Sequence, residues 1–128
     1  MAPTPAPTPE RIRATVDAYV AAYRSSDKEA LLACFADDCE WTDPVGTSTH
    51  HGRGGVAAFW DGARALADSI VLEPADVHVC GNEAAMVFEI RATIGGNTMT
   101  MDAVDVFEFD DDALIRRGKA YWDMTKAR

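Results

Sequence analysis

The chain has 128 residues, room for one hydrophobic core and too few for two. Its 12 basic and 21 acidic residues give a net charge of −9, which repels phosphate backbones and anionic lipid headgroups, so neither nucleic acid nor membrane is expected as a partner. The composition, 48% hydrophobic and 26% charged, is that of an ordinary soluble globule, and a neutral apolar ligand is indifferent to the surface charge.

Cys34, Cys39 and Cys80 are odd in number and irregular in spacing, which indicates neither a disulfide framework nor a zinc site and implies a reducing, cytoplasmic setting. No apolar run approaches membrane-spanning length. The opening Met-Ala-Pro-Thr-Pro-Ala-Pro-Thr lacks the positive end and apolar stretch of a signal peptide. Residues 1–8 are expected to form a disordered, extended Pro/Thr-rich tail ahead of a single domain spanning 9–128.

Thr8 as a cap and Pro9 in the first turn start a helix running to about Ser26, with Ile12, Val16, Tyr19, Val20 and Tyr23 on its inward stripe. Asp27 caps a short second helix through about Phe35. Cys39 to Thr42 reads as a short strand halted at Asp43-Pro44-Val45-Gly46. His50-His51-Gly52-Arg53-Gly54-Gly55 reads as a loop. With no third ligand at useful spacing, its histidines do not define a metal site. Val56 to Leu66 then forms a third helix.

The remainder is strand-like. Ile70 to Cys80 is apolar but interrupted by Pro74, where a bend or bulge is expected. Ala84 to Ile94 alternates cleanly, and Gly95-Gly96-Asn97 turns it into a strand over Met99 to Phe109. Asp111-Asp112-Ala113 turns again into a final strand over 114–124, with Leu114, Gly118, Ala120, Trp122 and Met124 expected inward. Helices first and a meander of long strands afterwards predict an α+β domain, three N-terminal helices packed on a curved antiparallel sheet. Small residues at Ala92, Ala103, Gly118 and Ala120 would leave an apolar pocket between the layers.

One residue breaks the pattern. Period-two alternation puts Asp105 on the same strand face as Met99, Met101, Ala103, Phe107 and Phe109. Burial disfavours a charged carboxylate, so Asp105 is a candidate for remaining protonated near neutral pH and donating a hydrogen bond. Tyr19 from the first helix and Asp43 from the strand end converge on the same expected pocket. An ionised carboxylate there can accept a proton while a phenol and a neutral acid hold one oxygen, the equipment for abstracting a proton alpha to a carbonyl.

The chain resembles the bacterial steroid delta-isomerases, or ketosteroid isomerases, within the nuclear transport factor two or SnoaL-like fold. The resemblance runs through Asp17-Ala18-Tyr19-Val20, Thr42-Asp43-Pro44-Val45-Gly46, His51-Gly52-Arg53, Ala57-Ala58-Phe59-Trp60, Val104-Asp105-Val106-Phe107 and Ala120-Tyr121-Trp122. It implies a cone-shaped domain in which Tyr19 and Asp105 form an oxyanion hole and Asp43 is the general base. Ketosteroid isomerases are the reference case of a carboxylic acid kept neutral by an apolar site. The resemblance also implies isomerisation of a β,γ-unsaturated 3-ketosteroid without metal or organic cofactor, Phe88, Trp122, Trp60 and Met101 as steroid-binding residues, and a homodimer. One branch of that family supports its tyrosine with further tyrosines; this chain has Phe35 and Trp60 there, so such a network is shortened, and Tyr23 is not assumed to replace it. The competing readings are a SnoaL-like polyketide cyclase and a non-catalytic binding module of the same fold.

Overall fold

The protein is described from a computed structural model covering residues 7–128. The expected tail lies outside the described residues except for its last two: Pro7 is buried, and the Thr8 hydroxyl accepts a hydrogen bond from the Arg11 amide at 3.2 Å. Helix α1 (Pro9–Ser25) follows, ending at Ser26 in the left-handed region with φ 55°. Asp27 caps α2 (Lys28–Leu32), which stops before Phe35. Strand β1 (Phe35–Thr42) is longer than expected, because Phe35 already pairs with Ile115 and both Phe35 and Ala36 are buried.

The histidine pair is not a loop. His50–His51 form a two-residue strand, β2, opposite Trp41 and Glu40, and α3 begins at once as Gly52–Leu66. Its glycine-rich start suits this junction: a Cβ on Gly55 would lie 3.2 Å from the His50 carbonyl carbon, and Arg53 anchors the turn by donating to the Phe35 carbonyl at 2.9 Å.

Strands β3 (Ser69–Cys80), β4 (Glu83–Ile94), β5 (Asn97–Phe109) and β6 (Ile115–Trp122) complete a six-stranded sheet ordered β2-β1-β6-β5-β4-β3. All pairs are antiparallel except β1 with β6, so the sheet is mixed at that one seam. Register shifts between Pro74 and Asp76, where the proline interrupts the ladder. A second bulge corrects the expected inward set of the last strand. Glu108 faces Arg117 while Phe109 faces Ile115, so Arg116 is the extra residue; Ile115 is fully buried in place of Leu114, and alternation resumes at Gly118 and Ala120.

Helix α1 lies against β3 and α3 against β1, with α2 bridging the helices. One core fills the space between, centred on Phe35, Trp41, Phe107, Phe109, Ile115 and Met86. The room expected at Gly118 is taken by the Trp41 ring, which stacks on Phe107 with centroids 6.0 Å apart at 18°. Ala92 and Ala120 do open onto a cavity, because nothing as large as Trp41 is set over them. No described helix is long and apolar enough to cross a membrane.

Candidate active site

The cavity lies between the helices and the concave sheet face and encloses about 220 Å³. Its polar side chains, among the described residues, are Tyr19, Tyr23, Asp43, Asp105 and Trp122; every other lining residue is apolar. The three residues singled out in the sequence therefore share one space.

Tyr19 reaches it because helical spacing sets Ile12, Val16, Tyr19 and Tyr23 on one buried stripe. Its ring is gripped edge-on by Phe107 and Tyr23, each with centroids 5.3 Å away, which leaves the hydroxyl little freedom. That hydroxyl donates to Asp105 Oδ2 at 3.2 Å. Asp105 sits on β5 between Met86 of β4 and Ala120 of β6. It is 2% exposed, and its Oδ1 has no hydrogen-bond partner.

A buried carboxyl with one oxygen unsatisfied is costly if ionised. Burial accordingly pushes Asp105 well above the usual carboxylate range; the nearby Asp43 adds to the rise, and the Tyr19 hydrogen bond opposes it. Burial also raises Tyr19 well above its ordinary value, with Asp105 adding to the effect. Both shifts favour the neutral, hydrogen-donating forms of the two groups.

Asp43 comes from a third part of the chain. It follows β1, where Pro44 ends the strand and the Val45 amide donates to the Ala120 carbonyl at 2.9 Å, tying the turn to β6. The Trp122 indole donates to Asp43 Oδ1 at 2.8 Å. Burial raises Asp43 above its usual value, and the indole bond pulls it back toward ionisation. A carboxylate steadied by indole donors and sharing a cavity with two neutral acids can move a proton on a bound molecule whose oxygen those acids hold.

Phe88, Met101 and Trp122 line the cavity. Trp60 does not, and the expected contact is corrected. On α3 the residues facing the cavity are Phe59, Ala63 and Leu66, and Trp60, one position on, turns toward Tyr23 with centroids 5.0 Å apart. The Arg64 guanidinium covers its other side, 4.3 Å from the ring centroid. Tyr23 lines the cavity too, although on an inward helix stripe it reads as a core tyrosine. Ile70, Ile90 and Met99 were equally hidden, since apolar side chains around a cavity read like those of a core. Among the described residues no group of three or more His, Cys, Asp or Glu side chains is placed to hold a metal ion, and His50 packs on Phe59 with centroids 5.2 Å apart.

Helices folded into a curved open sheet around an apolar cavity, with three proton-bearing groups among its lining, define a cone-shaped α+β pocket protein. The chain belongs to the SnoaL-like domain family, whose pattern matches residues 16–117. It is 30% identical to the steroid delta-isomerase of Nocardioides simplex over 87% of this chain and 89% of that protein. It is also 28% identical to the epoxide hydrolase LasB of Streptomyces lasalocidi, over 84% of this chain but 39% of that protein. Among solved structures, the fold superposes with a TM-score of 0.84 on SalBIII, an epoxide hydrolase/cyclase-like enzyme with a role in pyran ring formation in salinomycin, at 20% identity over 92% of this chain and 95% of that one. It superposes with a TM-score of 0.81 on a Mycobacterium tuberculosis protein in complex with estradiol-17beta-hemisuccinate, at 21% identity over 92% of this chain and 98% of that one.

Proposed function

We propose that the protein is a steroid delta-isomerase, shifting the double bond of a 3-ketosteroid from the β,γ to the α,β position without metal or organic cofactor. The observation that carries this reading is the Tyr19–Asp105 pair, 3.2 Å apart with Asp105 Oδ1 unpartnered, facing Asp43 inside an otherwise apolar cavity. On binding, the Tyr19 hydroxyl turns its proton from Asp105 Oδ2 to the ketone oxygen, which also accepts a hydrogen bond from protonated Asp105. Asp43 breaks the C–H bond at carbon 4 and takes the proton, leaving a dienolate whose negative oxygen the two donors hold. Asp43 then returns the same proton to carbon 6, restoring the ketone and its own negative charge. Phe88, Met101 and Trp122 pack against the steroid. The similarity to the Nocardioides steroid delta-isomerase supports the reading.

Incubation with a β,γ-unsaturated 3-ketosteroid tests it, through the ultraviolet absorbance of the conjugated enone. The expected result is a rise at catalytic protein concentration, and no rise above buffer with several such steroids would overturn the reading. A second reading, epoxide opening with cyclisation or hydrolysis, draws on the similarity to LasB and on two carboxyl groups of differing proton affinity in one cavity. An epoxide substrate consumed where ketosteroids are inert would favour it.

We also propose that the protein works as a cytoplasmic homodimer. Its free cysteines suit a reducing compartment. Exposed Val45, Val87 and Tyr121 gather in a shallow depression on the sheet face turned away from the helices, a surface fitted to a second copy.

A further inference from the structure

Among the described residues of this strongly acidic molecule, the six most exposed large hydrophobic side chains fall into two groups. Val45, Val87 and Tyr121 lie in the outer depression, while Leu66, Ile94 and Met124 all line the cavity. Leu66 is 76% exposed, Met124 53% and Ile94 46%, so these three form the outer rim of the cavity and not its depth. They come from three separate elements: the end of α3, the end of β4, and the segment after β6.

That last segment is fixed. Asp123 caps a 3-10 turn (Met124–Lys126), Thr100 and Arg128 exchange backbone hydrogen bonds of 2.7 and 2.9 Å, and the Arg128 guanidinium reaches Glu89 and Asp102 at 2.8 and 3.2 Å. Met124 is therefore held at the mouth by a built strap. The cavity, whose lining includes Leu66, Ile94 and Met124, holds about 220 Å³, below the roughly 300–1,000 Å³ of typical ligand pockets, so a rigid polycyclic ligand seated on Tyr19 and Asp105 would fill it and reach the rim. The only charged side chains among the described lining residues are Asp43 and Asp105, and the strand register sets Ile94 opposite Asn97, eight residues along β5 from Asp105.

We propose that Leu66, Ile94 and Met124 form a specificity subsite for the end of the substrate remote from its ketone, selecting 3-ketosteroids that carry a hydrocarbon group at carbon 17 over those that carry a hydroxyl there. The inference rests on the steroid reading of the cavity. A hydrocarbon end covers three apolar side chains otherwise left in water, whereas a hydroxyl loses its hydration there with no partner to replace it.

Three already conjugated 3-ketosteroids, alike except for hydrogen, ethyl or hydroxyl at carbon 17, give dissociation constants free of turnover when titrated against tryptophan fluorescence. The ethyl compound should bind about tenfold more tightly than the hydrogen compound, and the hydroxyl compound no more tightly. Leu66→Gln, at an exposed helix end, and Ile94→Thr, which keeps the branched shape on its strand, should each shrink the ethyl advantage toward onefold. Equal affinity for the three steroids, or an ethyl advantage undiminished in both variants, overturns the subsite alone. No binding of any of them overturns the steroid reading and the subsite with it.

Discussion

Asp105 carries two opposing effects, one on stability and one on chemistry. A carboxyl raised in the folded protein keeps a proton that the unfolded chain has released, so stability falls as pH rises above the unfolded value, by about 1.4 kcal/mol per unit until the folded value is passed. Asp105→Asn removes that penalty. Its melting temperature should match the wild type near about pH 4 and exceed it at neutral pH; a difference independent of pH would mean that Asp105 titrates as an ordinary aspartate. The amide still offers a hydrogen to an oxyanion, so Asp105→Asn should keep much of the isomerase rate, whereas Asp105→Leu should lose on the order of 10²-fold or more while folding normally. Trp122 acts through Asp43. Its indole favours the charged carboxylate, so Trp122→Phe should raise the Asp43 pKa and move the acid limb of kcat/KM to higher pH while the neutral plateau remains. An unmoved limb would leave Trp122 as packing alone.

Among the elements, those with strict periodicity were legible in the sequence. Strands β4 and β5 alternate cleanly, and α1 carries an unbroken inward stripe, so Tyr19 and Asp105 could be faced toward each other before any contact was known. Elements fixed by long-range contacts were hidden. The glycine-rich start of α3 looks like a loop until Gly55 is seen against His50, and β1 looks short until Phe35 is paired with Ile115 across the parallel seam. The Arg116 bulge reversed the phase of Leu114 because local alternation carries no mark of an extra residue. Trp60 was misplaced by a single helical position, about 100° of rotation. Gly118 is where packing leaves least tolerance: a methyl there would fall on the Trp41 ring, and the Val106 carbonyl lies 3.5 Å from it. Gly118→Ala should therefore lower the denaturant midpoint by the equivalent of about 1–3 kcal/mol. A variant as stable as the wild type would show that Trp41 can move aside freely.

At the scale of the whole molecule, the helices close one sheet face into a cavity and leave the other bare, so the proposed chemistry and the proposed pairing of two copies fall on opposite sides of a single layer. Tyr121→Glu on the bare face should convert the dimer to monomer in light scattering, and a monomeric wild type would refute the pairing. In the proposed chemistry Asp43 is the base, a half-buried carboxyl that burial raises and the Trp122 indole opposes. The measurement that bears most directly on this account is enone formation by Asp43→Asn beside the wild type, paired with binding of the conjugated product to both. The amide keeps the shape and loses the base, so turnover should fall by about 10²–10⁴-fold with product affinity changed only a few-fold. An Asp43→Asn protein that turns over at the wild-type rate would contradict the account.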